Sequence, residues 1–447
     1  MARGIFTALL EDAEVEPLLG DASQARAMVE VEIALAKVEA DLGVIPKDTG
    51  RKIAAALESF APDLDELAAG TASAGVPVPA LVDQLRRAVG GAPASFVHWG
   101  ATSQDIVDSA LVLQLRKVLR VLEARLERLC AALVRLIEAH RDTVSVARTR
   151  FQQALPTTFA LKAAAWLAPL LRDRERVREL APRLLAVQLG GAAGNLSALG
   201  ERGVEVMEAL AAELGLACPP MPWHNQRDTL AELASWLALV SGTLGKLGQD
   251  VLLMAQNEIG EVREAAGGGS STLPQKSNPV RSETLVALAR RNATLIAGLH
   301  QAMVHGSERD GAAWQLERTL LPDMASTTAA ALAHAADLAE TMLVDKERMA
   351  GTLAATQGLL LAEAASFALS AHMSRADAEA LVKRAVGTAL ESGRDLVEVV
   401  RGLTDAPVDW ARLRVQAEHP IGADRLVQRV LDSVANPRRP DRRGKPT

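Results

Sequence analysis

From Ser103 to His140, apolar residues recur at Leu111, Leu115, Val118, Leu122, Leu126, Leu129, Leu133 and Leu136. Steps of three and four put them on one stripe of a helix. Roughly 38 residues rising about 1.5 Å each predict a single helix of roughly 57 Å. Thr102 or Ser103 can cap its start, and Asp105 then sits near the positive end of the helix dipole. Prolines are absent between Pro93 and Pro156, between Pro222 and Pro274, and between Pro279 and Pro322. Those windows can hold long uninterrupted helices, and 228–266 and 280–305 read as two more. A further helix is expected over 157–180, disturbed at Pro169, and a fifth over 320–343 with Pro322 in its first turn. No run alternates at period two for long enough to suggest a sheet.

Five long helices with short connections predict an all-α fold built on a long helix bundle. Residues 1–95 read as a smaller helical domain with the Pro/Gly loop AGVPVPA, 96–345 as the central bundle, and 346–447 as a second helical cap ending in a basic tail. The tail, 436–447, holds four arginines and one lysine among prolines and reads as disordered. The long helices are too apolar to be wetted on every outer face, which predicts burial between subunits.

Composition narrows the function. Hydrophobic residues make up 49% of the 447 but aromatics only 3%, so the core is expected to be Leu, Ala and Val in close-packed helices. A net charge of −6 argues against general nucleic-acid binding. No apolar run is long enough to span a bilayer, and the N-terminus turns acidic before a signal-peptide core develops. The two cysteines, Cys130 and Cys218, have no metal-ligand spacing, which suits a reduced, cytoplasmic protein. No metal site or cofactor is implied: HWG and WHN lack the paired spacing of zinc ligands, and a G-x-S-x-G hydrolase elbow is absent.

The richest chemistry lies in GGGSSTLPQKSNPV, 267–280. Three glycines, two hydroxyls, a lysine and an amide lead into a helix start at Pro279, the composition of a lid that closes polar groups over an anion. A nucleotide P-loop would need glycine directly before the lysine, where this chain has Gln275.

This run resembles the G-S-S-x-[ML]-P-x-K-x-N-P block of the fumarase/aspartase superfamily, and the chain resembles that superfamily from about Phe96 onward. The resemblance implies that Ser270 is the proton-transfer group, with Ser271 beside it, and that Lys276 and Asn278 hold a substrate carboxylate. VHWGATSQD, 97–105, occupies the substrate-binding position of adenylosuccinate-lyase-like members, which makes His98, Thr102 and Ser103 candidate contacts; on physical grounds alone, helix capping explains the two hydroxyls equally well. ARTRFQQALPTTF, 147–159, matches a second block and nominates Arg148, Thr149, Arg150 and Gln152. HGSERDGAAWQLERTLLPD, 305–323, matches a third and nominates Arg309, Trp314 and Arg318. His224, in PMPWHNQRD, is either a site residue or a hydrogen-bonded core histidine.

Superfamily members perform β-elimination next to a carboxylate, or its reverse. In amine-releasing members the second block reads R-T-H-x-Q, and the histidine protonates the leaving amine. Here that position is Arg150, which does not give up its proton near neutral pH. An amine, whose conjugate acid has a pKa near 10, leaves badly without an acid; a carboxylate, with a conjugate acid near 4, needs none. The exchange therefore points to the lactonising branch of the superfamily, which HWGATSQDIVDSALVLQLR, QLGGAAGNLSALG, PWHNQRD and ERDGAAWQLE also resemble. The resemblance implies a small tricarboxylate as substrate, no cofactor, and a homotetramer whose active sites are shared between subunits. An amine lyase releasing fumarate and a catalytically silent helical oligomer are the alternatives; a histidine at 150 would favour the first, loss of the Ser270, Lys276 and Asn278 set the second.

Overall fold

The computed structural model describes residues 5, 7–265, 267–269 and 272–435. Five long helices dominate: α1 (Ser103–Ala139), α2 (Phe159–Leu184), α3 (Asp228–Met254), α4 (Val280–Gln301) and α5 (Gly311–Thr341). The α1 stripe is the buried face it was expected to be: Leu115, Val118, Leu122, Leu126, Leu129 and Leu133 are at most 1% exposed. Shorter helices precede these five, among them Asp21–Asp41 and Lys47–Leu57, and others follow, among them Arg375–Ser392.

Several boundaries differ from the sequence expectation. α3 ends at Met254 rather than near 266, because the chain turns through Gly260, at φ +63°, and enters a strand. α2 continues through Pro169. α5 starts at Gly311, not at 320, so Pro322 lies well inside it. The start signal is Asp310, whose Oδ1 accepts from the N–H groups of Ala312 and Ala313 at 2.9 and 3.2 Å.

The absence of sheet was also too strong. β1 (Val144–Thr149) and β2 (Gln152–Thr158) form an antiparallel hairpin with a bulge between Ala147 and Arg148. β3 (Val262–Glu264) pairs with Met342–Val344, and Gly268–Gly269 pairs with Ser277–Asn278. Six or seven residues of mixed polarity make too short a run for periodicity to separate strand from loop.

The chain divides into two compact units, each drawn from three separate segments of the sequence. The first contains 1–125, 173–242 and 287–333; the second contains 126–172, 243–286 and 334–447. The first unit is built on an aliphatic core including Met28, Leu35, Leu81, Leu85, Ile106, Leu113 and Leu210. There Gly50 lets Lys47–Leu57 lie directly on Asp21–Asp41: a Cβ would meet the Ala36 carbonyl oxygen at 2.5 Å. The second unit packs Phe159 edge-on to Trp166, whose indole N–H donates to Asp250 at 2.7 Å. A separate small core in that unit gathers Leu369, Leu381, Ala385 and Leu396.

Candidate active site

In the first unit the site is organised by a carboxylate, Asp105, in the first turn of α1. Its Oδ2 accepts the Thr102 N–H at 2.9 Å, the reciprocal half of a capping box. The same carboxylate accepts the N–H groups of Gly190 and Gly191 at 2.9 Å each, Gln188 Nε2 at 3.1 Å and His224 Nε2 at 2.7 Å. Asp105 is 1% exposed, so these donors take the place of water around its carboxyl group. Gly190 must be glycine: a Cβ there would stand 2.8 Å from Pro222 and 2.9 Å from the His224 ring. Motif runs distant in sequence thus meet on one buried anion.

A second buried network lies one helical turn further along α1. Arg227 forks between Asp108, at 2.6 and 3.1 Å, and Glu317, at 2.5 and 2.9 Å. The Trp314 indole donates to Asp108 at 3.1 Å, and the Arg318 guanidinium lies 5.3 Å from the Trp314 ring centroid. Arg318 is half-buried, so this stacking presents a cation on an aromatic shelf. Arg309 is exposed and donates to Thr102 Oγ1 at 2.7 Å. His98, at φ +64°, bonds through Nδ1 to Glu32 at 2.6 Å. Ser103 opens α1 and is half-buried, whereas His224 is buried against Asp105.

In the second unit the hairpin carries Arg148, Thr149, Arg150 and Gln152. Thr149 pairs with Gln152, so Arg150 and Phe151 alone form the turn, at φ +50° and +65°. Two bulky residues occupy positions that favour Asn and Gly, a form of strain that clusters at functional sites. Arg148, re-aimed by the bulge, is committed to Glu261 through bonds of 3.1 and 2.9 Å. Arg148, Arg150, Lys162 and Asp250 line a cavity of about 460 Å³. Burial pushes the Lys162 ammonium below its ordinary range, with Asp250 opposing. A larger cavity of about 860 Å³ opens in the first unit among Val29, Ile33 and Phe60, and no candidate residue lines it.

Gly268–Gly269 and Ser277–Asn278 pair as the two arms of a narrow ribbon. A Cβ at Gly267 would displace the Ser277 hydroxyl and lie 3.3 Å from both the Ser277 Cβ and the Asn278 carbonyl oxygen, so the close approach of the two arms favours glycine there. Lys276 is exposed and Asn278 half-buried. Glu264 ties the ribbon's exit to α4 by accepting from the N–H groups of Arg281 and Ser282, at 3.1 and 2.9 Å, and from Ser282 Oγ at 2.6 Å. Ser270 and Ser271 lie outside the described residues.

Sequence reading missed Glu32, Asp108, Lys162, Arg227, Glu261 and Glu317, and saw in Asp105 only a dipole partner. A signal existed for some of them. Glu32 and Glu39 fall on the apolar face of EVEIALAKVEA, where a charge needs a reason.

A mainly helical frame with buried carboxylate–arginine networks, a strained arginine tip and the sequence block GGGSS…K-x-N is that of an enzyme of the lyase type. A lyase family model matches residues 7–292, and the chain belongs to that family. It is 45% identical over 405 residues to the 3-carboxy-cis,cis-muconate cycloisomerase of Pseudomonas aeruginosa, covering 89% of this chain and 88% of the relative. It is 39% identical over 442 residues to the enzyme of the same name from Bradyrhizobium diazoefficiens, covering 96% and 98%. The crystal structure of the 3-carboxy-cis,cis-muconate lactonizing enzyme from Pseudomonas putida superposes with a TM-score of 0.88 at 38% identity, covering 96% of this chain and 98% of that one.

Proposed function

We infer that this chain is a cycloisomerase that closes 3-carboxy-cis,cis-muconate to 4-carboxymuconolactone. One carboxylate of the substrate adds its oxygen across a carbon–carbon double bond. The C–O bond forms, the π bond breaks, and the carbon α to another carboxylate takes a proton. A trianion becomes a dianion, so each turnover takes up one proton from solvent. Arginine at the hairpin tip, position 150, carries the choice among lyase reactions. It offers charge but no acid, which suits a carboxylate as the reacting group and disfavours amine release. Near-full-length similarity to cycloisomerases supports the same choice.

We assign the carbon proton to Ser270, on the resemblance of the glycine-rich block. Lys276 and Asn278 would stabilise the doubly charged aci-carboxylate, and His98, Thr102, Arg309 and Arg318 would bind the remaining carboxylates. Thr149 and Gln152 would add polar contacts beside Arg150. We further propose a cytoplasmic homotetramer acting in protocatechuate catabolism, with each site drawing on blocks from three subunits. The long apolar helices and the absence of a disulfide between Cys130 and Cys218 support this reading.

The test is loss of muconate ultraviolet absorbance on adding 3-carboxymuconate to purified protein, alongside an assay for fumarate release from adenylosuccinate. Absorbance loss without fumarate release is the expected result; the converse would make the chain an amine lyase. Ser270→Ala should lower kcat by about 10³-fold or more while leaving the oligomer intact. A rate near that of the unsubstituted enzyme would remove this serine from the mechanism.

A further inference from the structure

We propose that Glu32 is a positioning residue of the active site, fixing His98 as a cation for a substrate carboxylate. Glu32 lies on the helix Asp21–Asp41 and is fully buried; its Oε1 stands 2.6 Å from His98 Nδ1. A carboxylate only accepts, so Nδ1 must carry a hydrogen. That leaves Nε2 as the second ring position able to meet a ligand. The His98 side chain retains 17% exposure while that of Glu32 retains 1%, so the ring is the solvent-facing member of the pair. The backbone at His98 is held at φ +64°, a conformation rarely adopted by non-glycine residues and kept only where the surroundings enforce it.

The surrounding charges favour the same state. Burial alone would lower the His98 imidazole, but Glu32, by charge and hydrogen bond, and Asp105 outweigh it, and Arg86 opposes them; the net direction is upward. Arg86 is itself occupied in part by the Val97 carbonyl at 3.3 Å. Two turns along the helix from Glu32, Glu39 is buried with neither carboxyl oxygen hydrogen-bonded. Burial, reinforced by the Glu32 charge, pushes Glu39 up to about 9. Two carboxylates on one buried face do not both ionise readily. Glu39 keeps its proton, so it places no second negative charge beside the Glu32–His98 pair. The arrangement supplies one cation at the start of α1, where the helix N-terminus already favours an anion.

The assignment rests on the reading that this end of α1 binds a substrate carboxylate. Glu32→Gln tests it, because the amide keeps the size and an acceptor oxygen while removing the charge. Slow deuterium exchange at each histidine C2–H, followed against pH by peptide mass spectrometry, reports the His98 titration without any substrate. The His98 midpoint is expected above the ordinary histidine value in the unsubstituted protein and clearly lower in Glu32→Gln. In the same variant KM at neutral pH should rise about tenfold, with kcat changed far less. The rise of KM with pH should begin at lower pH, because binding is strongest while His98 is protonated and weakens as pH passes its midpoint. Glu32→Asp, which restores the charge, should recover part of both effects and covers the case in which the glutamine variant fails to fold. An unchanged His98 midpoint in Glu32→Gln would overturn the proposal, as would a shifted midpoint with an unshifted KM profile. If the unsubstituted protein turns over no 3-carboxymuconate, the functional reading falls while the exchange midpoints still decide whether Glu32 sets the state of His98.

Discussion

At the scale of single residues, stability is concentrated where carboxylates lose their water. Asp105 and Glu39 take opposite solutions. Asp105 is met by five donors, whereas Glu39 has none and stays protonated up to about 9. For Glu39 the folded state binds its proton more tightly than the unfolded chain, whose value is 4.5. The folded state is therefore favoured fully below that value and loses stability as pH rises toward 9. Because one proton is involved, the slope is at most about 1.4 kcal/mol per pH unit. Glu39→Gln should remove that slope, so that urea midpoints at pH 6 and pH 9 lie closer together than in the unsubstituted protein. Asp105→Ala should cost about 3 kcal/mol or more, because several buried donors lose their acceptor together. Chemical denaturation checks this, and a loss below about 1 kcal/mol would mean that the network relaxes around the gap. Arg227→Met belongs with these, since it removes the guanidinium that bridges the buried Asp108 and Glu317; about 3–5 kcal/mol is expected from the same measurement.

At the scale of elements, what was legible in the sequence depended on how long a pattern runs. α1 spans 37 residues, and its stripe repeats often enough that both ends fall within a residue of the expected 103–140. The hairpin β1–β2 has strands of six and seven residues joined by a two-residue turn, and no periodicity builds up over that distance. Its residues were nevertheless singled out as chemistry, because Arg148, Thr149, Arg150 and Gln152 match a block whose spacing outlasts any local pattern. The glycine-rich run behaved in the same way: its spacing was readable, but the reason for Gly267 is a neighbour ten residues on, which no local rule could supply. Partners such as Glu261 for Arg148 are set by tertiary packing and were invisible for that reason. The turn itself gives an element-scale prediction. Arg150 and Phe151 hold positive φ against their preference, at about 1 kcal/mol or more each. Arg150→Asn with Phe151→Gly should raise the thermal midpoint by a few degrees and lower kcat/KM at least tenfold. A more stable variant with full activity would make the strained tip irrelevant to catalysis.

At the scale of the whole molecule, the question is whether one chain can hold a complete site. His98, Thr102, Arg309 and Arg318 belong to one compact unit, whereas Arg150, Lys276 and Asn278 belong to the other. If each site draws these groups from different subunits, two inactive variants can repair each other. His98→Asn removes a contact from the first set, and Ser270→Ala removes the proposed proton-transfer group. When the two variants are unfolded together and refolded in equal amounts, subunits combine at random. A site is then intact only if the chain supplying residue 98 is not the His98→Asn variant and the chain supplying residue 270 is not the Ser270→Ala variant. Each condition holds half the time, so about a quarter of the unsubstituted activity is expected to return. If both residues act within one chain, every chain carries a defect and no activity returns. The refolded mixture, assayed for loss of muconate absorbance and sized by light scattering, separates the two arrangements. Recovery near a quarter in a tetramer supports shared sites, and a tetramer that stays inactive shows that each subunit builds its site alone.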